Sequence, residues 1–251
     1  MNNIALEQLL DQKLNANSIK DYAPNGLQIE GKTEVKKIIT GVTASQALID
    51  YAVSQNADAI LVHHGYFWKS ENPCIRGMKG KRIKTLLQHE INLYAYHLPL
   101  DIHPELGNNA QLAQLLGIEN LKPLEDTTNS IPMYGELTAP ITSEAFIQRI
   151  EQKLQRTPLV CCDAGPTLIK TIGLCTGGGQ GYIDLAAAKG LDAYITGEVS
   201  EQTIHSAREQ GMHFFAAGHH ATERYGIKAL GEWLAEQYHF DVEFKDIDNP
   251  A

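Results

Sequence analysis

The chain has 251 residues and a mass of 27.7 kDa, 43% of them hydrophobic and 20% charged, which leaves room for one large domain or two modest ones. These proportions exclude a disordered, collagenous or coiled-coil chain. Thirty acidic against 21 basic residues give a net charge of −9, so duplex nucleic acid is disfavoured as a partner, whereas a small anionic substrate at a local cationic centre is still allowed.

The amino terminus mixes Glu7, Asp11 and Lys13 among apolar positions, unlike a secretion signal. Ile4, Leu9, Leu10 and Leu14 predict a helix, and Asn25-Gly26 a turn. A strand over 37–40, a helix over 45–55 and a buried strand over 58–62 form a βαβ unit, which implies a parallel sheet. A helix over 81–89, a strand over 92–96 and a helix over 108–116 follow. Residues 119–132 turn polar and suggest a domain boundary. Beyond it come strands over 134–138, 171–175 and 193–196 and helices over 143–154, 182–189 and 200–210, a second α/β unit. The four cysteines include the vicinal pair Cys161-Cys162 and no C-x-x-C, so neither a disulfide framework nor a zinc ribbon is expected. No apolar run approaches the roughly 20 residues of a membrane span. A soluble cytoplasmic protein is expected.

An internal repeat crosses the boundary. A gapless shift of 134 positions matches Gln46, Ile49, Asp50, Ala52, Asp58 and Ala59 with Gln180, Ile183, Asp184, Ala186, Asp192 and Ala193. That is more than the roughly one identity expected at ordinary composition. Two duplicated domains would explain it; shared small helix residues of βαβ units are the plainer alternative. In the second copy Gly197-Glu198 takes the place of His63-His64.

Ligand-type residues gather after strands. His63 and His64 close one, His97 and Asp101 follow another, and His219 and His220 follow a third over 213–217. In open α/β sheets this edge is where ligands bind. Glu223 stands four residues after His219, one helical turn away. Imidazoles with carboxylates suit manganese, iron, cobalt, nickel or zinc. The five donors His63, His64, Asp101, His219 and Glu223 exceed what one catalytic metal with an open position takes, whereas two carboxylate-bridged ions would use them all. Each also has a plainer explanation: a polar strand end for His63-His64, a turn or cap for Asp101, a surface pair for His219 and Glu223. Thr176-Gly177-Gly178-Gly179 could cradle phosphate or simply form a tight turn. No Gly-x-Ser-x-Gly or Cys-His nucleophile is present, which favours a metal-held water over covalent catalysis.

Pro24-Asn25-Gly26-Leu27-Gln28, Val62-His63-His64-Gly65, His97-Leu98-Pro99-Leu100-Asp101, Thr196-Gly197-Glu198 and Gly218-His219-His220-Ala221-Thr222-Glu223 together resemble the Nif-three-like family. Its bacterial members carry the name GTP cyclohydrolase 1 type 2 homologue, and the chain is similar to the short, YbgI-type branch. The resemblance covers nearly the whole chain. It implies an α/β fold of two related three-layer domains with mainly parallel sheets, and three dimers assembled into a toroidal homohexamer. It also implies a dinuclear divalent-metal centre held by His63, His64, Asp101, His219 and Glu223, with Glu223 as bridge. Family members often show Asp where Glu198 stands and Tyr where His220 stands.

The expectation is therefore a metal-binding domain of residues 1–126 and 212–251 and a second domain of 127–211. Activity is expected to be hydrolytic, on a small nucleotide-like or cyclic-amide substrate, and GTP cyclohydrolase-like opening of a guanine ring is one version. A non-enzymatic metal-binding or protein-interaction ring is the alternative. His97 is the candidate catalytic group for proton transfer, or else orients a ligand; Glu198 and His205 are candidate substrate-binding groups.

Overall fold

The computed structural model describes residues 1–251. Two compact units divide the chain, the first formed by Met1–Leu106 with Gly226–Asp248 and the second by Gly107–Tyr225 with Asn249–Ala251.

In the first unit, helix α1 (Asn3–Leu14) is capped by Asn2, whose side chain accepts from the Ile4 and Ala5 amides, and it ends where Asn15 turns left-handed. Its buried positions Leu6, Leu10 and Leu14 form one stripe. Strands β1 (Gly26–Ile29), β2 (Lys37–Thr43), β3 (Ala59–His64), β4 (Asn92–Ala95) and β11 (Asp241–Phe244) make one sheet in the order β1-β4-β3-β2-β11. All its pairings are parallel except β1 with β4. Helices α2 (Gln46–Ser54) and α3 (Gly77–Gln88) contribute Leu48, Ile49, Ile83 and Leu86 to the core on one face. The other face is covered by α1 and by Ile227, Leu230 and Leu234 of helix α9 (His219–Tyr238). Covered on both sides, β3 and β4 are almost continuously buried, which is why they read as apolar runs without alternation. A one-and-a-half-turn helix, α4 (Leu98–Ile102), follows β4.

The second unit holds helices α5 (Asn108–Leu116), α6 (Ser143–Leu154), α7 (Ile183–Ala188) and α8 (Glu201–Glu209) around a six-stranded sheet. Its strands are β5 (Ile118–Pro123), β6 (Met133–Ile141), β7 (Leu159–Cys161), β8 (Ile169–Cys175), β9 (Ala193–Thr196) and β10 (His213–Ala216), in the order β5-β6-β8-β9-β10-β7. Helices α5 and α6 share one core with this sheet, and α7 and α8 another. Here the expectation of a mainly parallel sheet needs correction: only β8-β9 and β9-β10 are parallel, while β5-β6, β6-β8 and β7-β10 are antiparallel. The polar stretch 119–132, expected as a domain boundary, is instead the end of β5 and the link to β6, which pair as antiparallel neighbours. The units divide at Leu106/Gly107 and Tyr225/Gly226 rather than at 126/127 and 211/212. The reason is that α5, with Leu112 and Leu116, belongs to the second core.

The repeat extends to hydrogen bonds. Asp58 accepts from the Lys36 and Lys37 amides at 3.0 and 3.1 Å, and Asp192, 134 positions later, accepts from the Lys170 and Thr171 amides at 2.8 and 2.8 Å. The strand register shifts by the same amount, Ile38 opposite Ala59 and Ile172 opposite Ala193. Each aspartate staples the start of one parallel strand to the next. We expect Asp192→Ala, which also loses the Thr171 hydroxyl bond at 3.0 Å, and Asp58→Ala each to cost about 2 kcal/mol in urea unfolding. A cost near zero at both would show that these bonds stabilise neither unit.

Candidate metal centre

In the first unit the donors lie at the carboxyl ends of the adjacent parallel strands β3 and β4. His63 is buried, and its Nδ1 lies 3.0 Å from the Tyr96 carbonyl oxygen. A carbonyl only accepts, so Nδ1 carries the proton, and in the neutral ring Nε2 presents its lone pair. That Nε2 faces Oδ1 of buried Asp101 at 3.4 Å. Two acceptors in a dry site face one another stably only with a cation or a proton between them. His64, half-buried, holds Nδ1 3.3 Å from the Thr43 hydroxyl. His97 brings a third imidazole, with donor atoms of His63, His64 and His97 all within 4.8 Å of one another.

His97 is held by a bracket that sequence reasoning missed. Its Nδ1 donates to Asp21 Oδ1 at 2.9 Å, and its amide donates to Asn25 Oδ1 at 2.8 Å. The other Asp21 oxygen accepts from the Leu98 amide at 2.9 Å and from Asn25 Nδ2 at 3.1 Å. Burial pushes the Asp21 carboxyl up, but the hydrogen bond and charge of His97, with the Asn25 and Leu98 bonds, outweigh it and hold the pKa at about 2. An ionised carboxylate only accepts, so His97 Nδ1 carries a proton. Gln28 completes the bracket, donating to the Pro24 and Tyr66 carbonyls at 2.8 and 3.1 Å and accepting from the Tyr66 amide at 2.7 Å. Within the Pro24-to-Gln28 motif, Asn25 thus holds the His97 backbone while Gln28 ties the motif to the chain at Tyr66. Gly65 allows a close approach, since a Cβ there would lie 2.2 Å from Gln28 Oε1.

The second unit repeats the placement at the ends of the parallel strands β9 and β10. His219 Nδ1 lies 2.7 Å from Glu198 Oε1, and His219 Nε2 lies 3.2 Å from Oε2 of buried Glu223, one turn further along α9. Burial lowers the His219 pKa, but the hydrogen bonds and charges of Glu223 and Glu198 outweigh it and raise the pKa to about 9. Glu198, expected to bind substrate, lies within hydrogen-bond reach of the His219 ring, and its Oε2 also accepts from Gln180 at 3.3 Å. His205 is exposed on α8 and joins neither donor set. His220 is buried, and its amide donates to the Ala251 carbonyl at 3.2 Å.

The glycine-rich loop is no phosphate cradle. The amides of Thr176, Gly177 and Gly179 already donate to Asn109, Thr222 and Thr196 at 2.9, 3.0 and 3.1 Å. Its glycines make room instead: at Gly177, with φ +66°, a Cβ would lie 2.1 Å from Glu223 Oε1, and at Gly197 one would lie 2.7 Å from the His219 Cα. Gly177→Ala combines a clash with a left-handed backbone, so it should destabilise the fold by more than about 1 kcal/mol and displace Glu223. Urea unfolding and metal analysis check this; unchanged values in both would contradict the close fit.

No helix is long and apolar enough to cross a membrane. Residues 1–250 match the family model described as Duf34/NIF3 (NGG1p interacting factor 3). A Haemophilus influenzae protein named GTP cyclohydrolase 1 type 2 homolog is 76% identical over 251 residues, 100% of each chain. A solved structure described as protein ybgI, of unknown function, shares 62% identity and a TM-score of 0.97 with all of both chains covered. That of TTHA1606 from Thermus thermophilus shares 34% and a TM-score of 0.91, again with 100% of each chain covered. With its residues matched almost from end to end, the chain belongs to the DUF34/NIF3 family.

Proposed function

We propose that the protein is a divalent-metal-dependent hydrolase in which His63, His64, Asp101, His219 and Glu223 hold two ions, with Glu223 as bridge. The observation that carries this is the His63–Asp101 pair: with Nδ1 against the Tyr96 carbonyl oxygen, Nε2 lies 3.4 Å from a buried carboxylate, an arrangement that a cation or a proton between them stabilises. Three imidazoles and two carboxylates fit manganese, iron, cobalt, nickel or zinc. When bound, such ions supply Lewis acidity and lower the pKa of a coordinated water to about 7.

The chain's own groups supply orientation and proton transfer. Asp21 fixes the His97 tautomer, so Nε2 is the atom that takes up or releases a proton. Glu198 holds the His219 ring through Nδ1 and turns Nε2 toward Glu223. No side chain in the motifs is a convincing nucleophile, which favours attack by water.

The substrate we propose is a small nucleotide-like or cyclic-amide compound, with guanine-ring opening as one version, in keeping with the relatives' name. A homohexamer of three dimers belongs to the same proposal and is checked by light scattering against the 27.7 kDa chain mass. The metal-reconstituted protein screened against nucleotides and cyclic amides should hydrolyse at least one of them and lose that activity to a chelator. If no compound turns over while the ions are bound, the non-enzymatic reading takes its place; the family description as an interacting factor favours that second reading.

A further inference from the structure

Beside the histidines of the first unit stands a group of aromatic rings that the metal chemistry does not use. Tyr22 and Trp68 pair at 5.9 Å between centroids with a 36° tilt. Each meets His97 edge-on at 5.0 Å, and Trp68 also lies 5.9 Å from the His64 ring. Unlike the core aromatics Tyr94, Tyr96 and Phe146, which are 0% exposed, Tyr22 is 53% exposed, and Trp68 is only half-buried.

The fold spends specific bonds to hold this pair where it is. The Lys69 amide donates to the Tyr22 carbonyl at 2.9 Å, tying the two loops together. Glu71 accepts from the Phe67 and Trp68 amides at 2.8 and 3.3 Å, and Lys79 lies 3.2 Å from the same carboxylate. Phe67 adopts φ +66°, a left-handed conformation that a bulky residue takes only when its surroundings enforce it. A hydrophobic pair held this firmly at the surface gains little from burial. It is suited to receive another flat ring.

We propose that Tyr22 and Trp68 form the ring-binding subsite of the proposed metal site, taking a planar nitrogen heteroaromatic of nucleobase size by stacking. The inference rests on the hydrolase reading for the location of the chemistry, but it concerns binding and is tested without turnover. Aromatic faces stack on any base, so the subsite selects for a flat ring rather than for one hydrogen-bonding pattern. Contact of Trp68 with both His64 and His97 would set the stacked ring beside these side chains.

Equilibrium dialysis of the full, manganese-loaded chain with guanosine 5′-monophosphate and with ribose 5-phosphate separates ring from phosphate recognition. We expect the nucleotide to bind roughly tenfold or more tightly than the ringless sugar phosphate. Trp68→Leu and Tyr22→Leu should abolish that preference with manganese content unchanged, and Trp68→Phe should restore most of it. Equal binding of the two probes, or a preference that survives both leucine variants, overturns the proposal. Should Trp68→Leu fail to fold, the exposed Tyr22→Leu decides alone. Absence of turnover in the substrate screen would sink the hydrolase reading without touching this result.

Discussion

Glu223→Gln is expected to lower the metal content from about two divalent ions per chain to one or none while cooperative unfolding persists. The substitution keeps the shape of a buried side chain that fits against Gly177 and removes the charge that a bridging ligand needs. The same site predicts a pH dependence. Without metal, His219 stays protonated up to a pKa of about 9, because Glu198 and Glu223 flank its ring and outweigh the cost of burying the charge. An ion taking Nε2 must expel that proton, so metal affinity should rise with pH and level off near 9. With Gln at 223 one of the two carboxylates loses its charge, and the plateau should begin at lower pH. Elemental analysis after dialysis, repeated across pH, reads both effects. Retention of both ions by the variant would sink the assignment of Glu223 as bridge.

His97→Ala should reduce turnover by about 10²–10⁴-fold with metal content intact if its Nε2 transfers a proton. If His97 instead supports a ligand, the loss should appear as roughly 10–100-fold weaker metal binding. Asp21→Asn sharpens the distinction, because it keeps a side chain of the same size but removes the carboxylate that holds Nδ1 at 2.9 Å. In the proton-transfer case this variant should lie between wild type and His97→Ala in turnover and shift the pH profile, with its metals retained. Full activity and full metal occupancy in His97→Ala would leave His97 with neither role. The pair is informative through the pH profile: Asp21 also accepts from Asn25 Nδ2 and from the Tyr22, Ala23 and Leu98 amides, so a rate loss alone does not single out the ring, whereas a shift of the profile reports on the His97 Nδ1 bond.

Much of this molecule is legible in its residues because the forces involved are local. Leu6, Leu10 and Leu14 bury one helical stripe, and the apolar runs of β3 and β4 announce strands covered on both faces. Histidines and carboxylates at strand ends are readable as well, since the end of a parallel strand is where an α/β sheet opens to a ligand. The repeat is readable because identical residues perform identical work: Asp58 and Asp192 cap equivalent strands. Strands β1, β5, β7 and β11 escaped because they are edge strands whose pairing partners, not their own pattern, make them strands.

What only the tertiary structure decided depends on contacts between distant positions. Asp21 reaches His97 across 76 positions, and no spacing rule marks it as the residue that sets a tautomer. Gln28 looks like an ordinary surface amide until the loop at Tyr66 folds over it. The glycine-rich loop shows the same limit from the other side. Its composition suits a phosphate cradle, yet its amides are already bound within the unit. Gly177 is glycine because the Glu223 carboxylate comes within 2.1 Å of where a Cβ would stand. Local pattern carries propensity and burial; which backbone a distant side chain approaches is settled only when the packed sheets and helices bring the two together.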